Sequence, residues 1–312
     1  MTPRPRKEHA PLDFDFVDVI TTVADEMKPA IATAVARPFL KWVGGKRSIL
    51  PELNTRLPQE YGTYREPFLG GAALFFNVRP EKASLSDLNF HLVLTYLAVR
   101  DDVERLISQL NGHAHKHEKD YYLKARPKIA RESDPTKIGA LLIYLNKTCY
   151  NGLYRVNQSG EFNVPMGSYT DPAILDEENL RACSKALQGV QIKQHPFSQT
   201  PIKKGDFYYL DPPYHKTFSS FDSSGFDDTD HEKLAKFCGE LNEAGCYFMV
   251  SNSDTPFIRK LYKDFTIEEV RAGRFVSCKA NQRGKETELI IRNYASASAE
   301  QREEGKADGQ QS

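Results

Sequence analysis

The sequence lacks any apolar run that approaches the ~20 residues needed for a membrane-spanning helix. Its first residues also lack the basic-then-apolar pattern of a signal peptide. These two absences argue against a membrane protein and against export. We therefore expect a protein of the cytoplasm or the nucleoid that is monomeric in solution.

Cysteine is scarce, and its spacing disfavours the usual cysteine sites. The chain has 5 cysteines, an odd number, and no two of them form a C-x-x-C pair. A disulfide framework and a structural zinc site are therefore not expected. His113, His115 and His117 alternate like metal ligands, but the polar residues around them favour a solvated segment. We expect no metal in this protein.

The chain has no net charge, because 42 basic side chains balance 42 acidic ones. The charges are unevenly spread. Residues 1–36 and 295–312 each carry an acidic excess, whereas residues 112–160 hold nine lysines and arginines against four acidic residues. A positive excess within the folded body is one part of the electrostatic pattern typical of DNA-binding proteins.

Two glycine-rich stretches lack the spacing of familiar nucleotide-binding loops. Gly44-Gly45-Lys46 has Leu40 and Arg47 where a P-loop needs glycine and then serine or threonine. Gly70-Gly71 lacks the full G-x-G-x-x-G pattern, which disfavours a dinucleotide. What remains at the first stretch is a turn that brings Trp42 close to two lysines.

The stretch Asp211-Pro212-Pro213-Tyr214 follows the apolar run Phe207–Leu210, which predicts a buried strand. The prolines end the strand, so the acid and the aromatic ring are presented at its tip, where parallel α/β sheets bind ligands. An ionised Asp211 and the Pro212 carbonyl both accept hydrogen bonds, which suits an amino group with two protons to donate. Tyr214 offers a flat face for stacking a base. A proline-rich turn after a core strand explains the tetrapeptide equally well.

An earlier stretch predicts the first βα unit of a nucleotide-binding sheet. Tyr64-Arg65-Glu66 is a short strand that enters a glycine turn, and an apolar helix leaves the turn. Ala83 to Asp87 predicts a second strand that ends in a carboxylate. Its spacing from Gly71 is close to the ~20 residues expected for an acid that binds ribose hydroxyls. Asp87 could also cap the helix predicted from Asn89 to Leu97.

Between the early and the late βα units the sequence becomes helical, basic and tyrosine-rich. Its amides, arginine and aromatics, grouped on a loop and a hairpin, are side chains that read base edges, although a charged helical subdomain is the alternative. We predict an α/β fold in which a mainly helical insert interrupts a Rossmann-like sheet. A polar loop from Thr217 to Asp228 is expected to act as a lid or to contact substrate, and Asp230 to cap the helix after it. The predicted divisions are a disordered extension 1–36, a catalytic domain 37–97 with 177–294, a recognition insert 98–176 and a disordered tail 295–312.

Taken together, six short segments resemble the Dam-type (D12 class) DNA adenine methylases. They occur in the family's order, with the recognition insert between a cofactor half and a catalytic half, and they cover roughly residues 38–294. The segments are Phe39-Leu40-Lys41-Trp42-Val43-Gly44-Gly45-Lys46, Glu66-Pro67-Phe68-Leu69-Gly70-Gly71, Ser86-Asp87-Leu88-Asn89, Tyr150-Asn151-Gly152-Leu153-Tyr154-Arg155, Gly160-Glu161-Phe162-Asn163-Val164-Pro165 and Asp211-Pro212-Pro213-Tyr214.

The resemblance implies an S-adenosylmethionine-dependent methyltransferase that acts on N6 of an adenine flipped out of double-stranded DNA, in GATC or a related site. It implies S-adenosylmethionine as methyl donor and no metal. The catalytic residues implied are Asp211, Pro212 and Tyr214. The cofactor site implied is lined by Trp42, Lys46, Phe68, Gly70 and Asp87, with Asp211 at its border. The DNA contacts implied are Lys41 and Arg155 to guanines, and Tyr150, Asn151 and Leu153 beside the flipped base.

Two other functions fit part of the pattern. One is methylation of another planar amine, in cytosine, an RNA base or a glutamine side chain, although those families commonly place serine or asparagine first in the strand-tip motif. The other is a catalytically silent DNA-binding homologue. An Asp211 buried in an ion pair, or turned away from the pocket of Trp42 and Asp87, would overturn the prediction of an enzyme.

Overall fold

A computed structural model describes residues 35–157, 159–216, 225–272 and 286–295. The predicted N-terminal extension up to residue 34, most of the predicted lid loop and the tail after residue 295 lie outside the described residues. So does Gln158 in the predicted hairpin. In the part of the chain that is described, no helix has the length and apolar character required to cross a membrane.

The described residues form seven strands and nine α-helices. The strands are β1 (Tyr64–Glu66), β2 (Ala83–Asp87), β3 (Gln191–Gln194), β4 (Phe207–Leu210), β5 (Tyr247–Ser253), β6 (Thr266–Ala272) and β7 (Glu286–Arg292). The helices are α1 (Leu50–Asn54), α2 (Ala73–Val78), α3 (Phe90–Asp101), α4 (Val103–Ala114), α5 (Lys119–Ala125), α6 (Pro135–Thr148), α7 (Glu177–Leu187), α8 (Asp228–Glu243) and α9 (Pro256–Leu261).

All seven strands join one sheet in the order β3-β2-β1-β4-β5-β7-β6. The first five strands in this order are parallel, and β7 runs antiparallel to both β5 and β6. The chain therefore winds outward in one direction from β1 to β3 and in the other from β4, which is the doubly wound arrangement. This confirms the predicted Rossmann-like α/β fold. Ligands bind such sheets where the winding reverses, here between β1 and β4.

The core lies on both faces of the sheet, which explains why β4 reads as a continuous apolar run. Phe207 and Tyr209 belong to one hydrophobic cluster, and Tyr208 and Leu210 belong to the other. All four are buried. Alternate residues of a strand point to opposite faces, so a central strand covered on both sides needs apolar residues throughout. The predicted buried strand is confirmed.

Three helices, α4 to α6, lie within the predicted recognition insert. Helix α6 is buried along most of its length and packs against α3 and α4. The close approach is possible because residue 139 is glycine; an added Cβ would lie 3.1 Å from the Cβ of Ala98 in α3. The predicted start of the insert, residue 98, lies inside α3, so this helix is shared between the two predicted parts.

Two predicted helix caps are displaced by a few residues. Asp227, and not Asp230, caps α8, because the Asp227 carboxylate accepts the Asp230 N–H at 3.0 Å while the Asp230 carboxylate faces the Asp227 N–H in return. Asn89, and not Asp87, caps α3 through the Leu92 N–H. Asp87 instead accepts the N–H of Asn89, just before the helix begins.

Candidate active site

Three carboxylates lie along one edge of the sheet. Glu66 and Asp87 are the last residues of β1 and β2, and Asp211 directly follows β4. These strands are neighbours and run parallel, so their carboxyl ends meet at the same edge. The predicted strand tips therefore come together at the point where the winding of the sheet reverses.

Asp211 is paired with Lys46 from the glycine-rich turn. The Lys46 Nζ lies 2.8 Å from Asp211 Oδ1, and the two side chains are 6% and 19% exposed. The contact has the length of a charged hydrogen bond, and among the described residues Oδ1 has no other donor. Lys46 also donates to the Gly44 carbonyl, and its Nζ lies 4.6 Å from the centre of the Tyr214 ring. The lysine thus holds both ends of the Asp211–Tyr214 stretch.

Burial raises the pKa of Asp211 to about 6. Lys46 acts in the opposite direction, and the negative charge of Glu288 raises the pKa further. A carboxyl group with this pKa is mostly ionised at neutral pH, so it accepts hydrogen bonds there. Its charge is stabilised less than that of an ordinary surface carboxylate.

Glu66 is a second buried acid at this edge, and the sequence assigned it no role. It accepts a 2.8 Å hydrogen bond from the Tyr64 hydroxyl and is only 2% exposed. Burial raises its pKa to about 8, with a further contribution from the charge of Asp211 and opposition from the Tyr64 bond and Lys46. At neutral pH Glu66 is therefore predominantly protonated and uncharged. Of the two acids Glu66 and Asp211, only Asp211 then carries a negative charge beside Lys46.

Tyr214 is held by its hydroxyl as well as by the contact of its ring with Lys46. The hydroxyl donates to Glu288 Oε2 at 2.8 Å. Glu288 lies in β7, opposite Ser253 of β5, so a late strand supplies this partner. Nothing in the local sequence around Glu288 signals that contact.

The glycine turn after β1 faces Asp87 and Trp42. Gly70 has φ +45, and its N–H donates to Asp87 Oδ2 at 3.2 Å. An added Cβ at Gly70 would lie 3.0 Å from Trp42 Cδ1, so a larger residue would press on the indole. The other oxygen, Asp87 Oδ1, accepts the Asn89 N–H at 2.9 Å. Burial raises the pKa of Asp87 despite these two bonds.

Phe68 and Trp42, the two aromatic residues predicted to line a cofactor site, stack on different rings. Phe68 is half-buried and stacks on Phe197 with ring centres 5.5 Å apart. Trp42 is half-buried and stacks on Tyr154 at 5.7 Å. Tyr154 belongs to the stretch predicted to read DNA, and its hydroxyl bonds His91 at 2.8 Å. Trp42 therefore lies between the glycine turn and the predicted recognition loop.

Comparison with known proteins decides the class of this site. A model of the D12 class N6 adenine-specific DNA methyltransferases matches residues 42–275, more than half of the chain. The chain belongs to this family. The type II methyltransferase M1.LlaDCHI of Lactococcus lactis subsp. cremoris is 38% identical over 272 residues, covering 83% of this chain and 95% of the relative. The type II methyltransferase M.MjaIII of Methanocaldococcus jannaschii is 41% identical over 286 residues, covering 83% and 99%.

A third relative is named a DNA adenine methylase, whereas the first two are named type II methyltransferases. The DNA adenine methylase of Serratia marcescens is 32% identical over 265 residues, covering 81% of this chain and 97% of the relative. The solved structure of SMU.472 in complex with SAH aligns over 38% of this chain with 15% identity and a TM-score of 0.25, a likeness too weak to argue from. The family and the enzyme class predicted from the six motifs are thus confirmed by the family model and the relatives.

One criterion set from the sequence is wrong for this methyltransferase. An ion pair of Asp211 was expected to argue against an enzyme, and the ion pair is present. The criterion fails because the pair leaves Asp211 partly exposed, and because a buried carboxylate without substrate needs a nearby cation to remain charged at all. The ion pair with Lys46 therefore helps to keep the Asp211 carboxylate ionised.

The residues predicted to contact DNA lie on two neighbouring segments. Lys41 is exposed, with Nζ 4.0 Å above the Tyr169 ring, and Tyr150 is 44% exposed. Asn151 is exposed in a left-handed conformation with φ +53, and Leu153 is half-buried. These side chains therefore share one region of the surface, because Gly152 lies directly against the backbone of Lys41.

Arg155, the fifth predicted DNA contact, already has a protein partner. Its Nε donates to Asn163 Oδ1 at 2.7 Å and its Nη2 faces the Asn163 carbonyl at 3.3 Å. Asn163 lies across a short antiparallel pairing in which Val156 bridges Phe162. The hairpin thus fixes the direction of the guanidinium. Asn163 lies in one of the six segments that resemble the family, but no role was predicted for it from the sequence.

The alternating histidines each bond a different partner. His113 bonds the Tyr121 hydroxyl, His115 the Asn111 carbonyl and His117 the Tyr144 hydroxyl. Across the described ranges no group of three or more histidine, cysteine or acidic side chains could hold a metal ion.

Proposed function

We propose that this methyltransferase transfers a methyl group from S-adenosylmethionine to N6 of an adenine in double-stranded DNA, in GATC or a related site. The observation that carries the proposal is Asp211: a half-buried carboxylate at the carboxyl edge of β4, with a pKa raised to about 6 by desolvation and one cation beside it. A site of this kind is suited to accept hydrogen bonds from an incoming donor.

Asp211 and the Pro212 carbonyl are the proposed acceptors for the two protons of the adenine amino group. Accepting both protons directs the nitrogen lone pair out of the ring plane. A fixed carboxylate also stabilises the positive charge that develops on the nitrogen as the new bond forms. The Tyr214 ring is the proposed stacking surface, and the Glu288 bond together with Lys46 fixes its plane.

An adenine inside a duplex cannot reach such a site. We therefore infer that the base is flipped out of the stack, at a cost of a few kcal/mol. The partly exposed side chains of Tyr150, Asn151 and Leu153 lie on the region proposed to contact DNA beside the gap that the base leaves.

The glycine turn and Asp87 suit S-adenosylmethionine, which supplies an electrophilic methyl group when bound. Asp87 offers a carboxylate for ribose hydroxyls, and Gly70 keeps the turn free of a side chain beside Trp42. Phe68 offers an apolar ring at the same edge. The contacts of Lys46 suggest a role different from the one predicted: we assign it to holding Asp211 and Tyr214 for the base.

The proposed target-recognition unit is residues 98–176, together with Lys41 from the catalytic side. An arginine or lysine that contacts guanine contributes ~1–3 kcal/mol of discrimination when the contact is bidentate. Lys41 and Arg155 are the proposed guanine contacts. An enzyme acting on chromosomal DNA is expected to work at the nucleoid, as a monomer.

The test is transfer of labelled methyl to a set of defined substrates. We expect label in a GATC duplex, little label in a duplex with that site scrambled or already methylated, and none in RNA. Digestion to nucleosides should place the label in N6-methyladenine. Label in N4-methylcytosine, or in RNA alone, would refute the assigned substrate, and equal label in all duplexes would refute the site.

A further inference from the structure

Two buried asparagines hold the segment that leads into the Lys46 turn. Asn179 in α7 accepts the Arg37 N–H at 3.0 Å and donates to the Arg37 carbonyl at 3.0 Å. Asn146 in α6 does the same to Lys41, accepting its N–H at 2.7 Å and donating to its carbonyl at 2.9 Å. Both side chains are nearly inaccessible, at 2% and 1% exposure. Each amide therefore pairs with the backbone as a neighbouring strand would.

Asn146 differs from Asn179 in one bond. Its amide nitrogen also donates to the Gly152 carbonyl at 2.8 Å. An amide group has two N–H donors, so Asn146 uses one on Lys41 and one on Gly152. In the part of the chain that the structure describes, the side-chain bonds of Asn179 go to Arg37 alone. A single buried side chain thus joins the two segments that carry the proposed DNA contacts.

Gly152 and Lys41 are in direct contact as well. Gly152 has φ +65, and an added Cβ would lie 2.5 Å from the Lys41 Cβ and 2.9 Å from the Lys41 carbonyl oxygen. No L-residue fits this position without moving one segment away from the other. The hydrogen bonds of Asn146 and the packing of Gly152 therefore both determine the distance between Lys41 and residues 150–155.

We propose that Asn146 is a positioning residue that sets base discrimination, by fixing Lys41 and residues 150–155 as one recognition surface. The inference rests on the proposed function, because it assumes that these residues contact bases. It concerns how they are held. Hydrogen bonds to base edges discriminate only when donor and acceptor are placed to within a fraction of an ångström, so a loosened spacing should lower selectivity more than it lowers turnover.

The principal test compares Asn146→Asp with Asn179→Asp. Aspartate has nearly the same shape and keeps an acceptor, but it has at most one donor, when protonated, so it cannot donate to both Lys41 and Gly152 at position 146, whereas position 179 needs only one donor. The measured quantity is the ratio of kcat/KM on the preferred site to kcat/KM on duplexes with one guanine replaced. The preferred site is first selected by the wild type from a randomised duplex pool. We expect Asn146→Asp to lower this ratio on the order of ten-fold and Asn179→Asp to leave it within about two-fold.

A second pair of variants covers the case in which an aspartate prevents folding. Gly152→Ala introduces the clash with Lys41, whereas Gly189→Ala introduces an alanine at a similar left-handed φ, +75, with no described atom within 4 Å of the new Cβ. Both carry the same backbone strain. Only Gly152→Ala should lower discrimination, and unfolding curves identify whichever variants are folded.

Equilibrium binding to the same duplexes without cofactor is measured in parallel, so that the inference does not depend on methylation. If the wild type transfers no methyl to adenine but binds one site selectively, the proposed function fails and the binding ratios still decide the inference. If the folded Asn146 and Gly152 variants keep the wild-type ratio, or if the controls lose it equally, the inference is overturned. A wild type without selectivity in either assay overturns both.

Discussion

Strand β4 has a carboxylate at each end, and the two differ in burial and in their partners. Asp206, before the strand, is 1% exposed and bonds Arg65 Nε and Nη2 at 2.7 Å each, while its other oxygen accepts the Thr63 N–H at 2.8 Å. Asp211, after the strand, has one lysine at 2.8 Å and, within the described residues, no other donor on Oδ1. Among the described residues, Asp206 thus has donors on both oxygens, whereas Asp211 has a single lysine on one.

The difference indicates what each end of the sheet does. A buried ion pair with complete hydrogen bonding is part of the folded structure, and removing one partner is costly. A buried carboxylate with a raised pKa and spare acceptor capacity is typical of a functional site. The amino edge of the sheet therefore contributes to stability, and we infer that the carboxyl edge gives up stability for binding.

The largest expected effect follows from replacing Asp211 by asparagine. The variant keeps an acceptor oxygen but loses the negative charge that stabilises the charge developing on the nitrogen, so methyl transfer should fall on the order of 10³-fold. The change also leaves the buried Lys46 without its counter-ion, but burial outweighs Lys46 in setting the raised pKa of Asp211, so the unfolding free energy should fall by less than it does in Asp206→Asn. Single-turnover methylation and urea unfolding on the same preparation check both parts. A large loss of stability would make Asp211 a structural residue like Asp206.

The matched change at the other end, Asp206→Asn, should act on stability. It leaves the Arg65 guanidinium buried without its counter-ion, at a cost of about 3 to 5 kcal/mol in unfolding free energy. Urea unfolding measures this loss. Adding Arg65→Met should restore part of it, because the orphaned charge is then gone. A variant as stable as the wild type would contradict the assignment.

Glu66→Gln should change how stability depends on pH. The pKa of Glu66 is raised to about 8, so the folded state keeps its proton where the unfolded chain has lost it. The unfolding free energy of the wild type therefore falls, at up to about 1.4 kcal/mol per pH unit, as the pH rises from the ordinary glutamate pKa toward 8.

Glutamine keeps the bond from Tyr64 but cannot ionise, so the variant lacks this part of the pH dependence. From about pH 5.5 to 7.5 the wild type should lose about 2 to 3 kcal/mol relative to the variant. Urea unfolding at both pH values tests this. Parallel stability curves would show that Glu66 is ionised when folded.

A smaller effect is expected at Glu288, which positions Tyr214. Glu288→Ala removes the acceptor of the Tyr214 hydroxyl and should lower kcat about ten-fold, the value of one hydrogen bond to a charged group. Glu288→Gln retains an acceptor and should recover most of that loss. Steady-state kinetics with both variants show whether Glu288 acts by positioning Tyr214 or through its negative charge. If Glu288→Gln is as impaired as Glu288→Ala, the charge is what matters.

Much of the carboxyl edge could be predicted from the sequence, because it depends on local patterns. An apolar run followed by two prolines predicts where β4 ends, and a short strand before Gly70 predicts the turn that faces Asp87. Parallel strands then bring Asp87 and Asp211 to one edge without further information. The motifs in their order predicted the family that the family model confirms.

The partners of these residues could not be predicted in the same way. Lys46 meets Asp211, and Glu288 meets Tyr214, only because distant parts of the chain occupy adjacent places in the fold. The position of β7 between β5 and β6 decides the second contact, and no local pattern specifies that order. Asn146 reads as one polar residue in a helix until the structure shows which backbone groups it bonds.

The pH dependence of kcat/KM tests the central claim most directly, because this constant reports the ionisation of the free enzyme. Asp211 must be ionised to supply the negative charge that stabilises the charge developing on the nitrogen, and burial raises its pKa to about 6. Methylation should therefore decline as the pH falls through about 6, approaching ten-fold per pH unit below it. DNA binding over the same range should change little. A kcat/KM that stays constant down to about pH 5 would contradict the account.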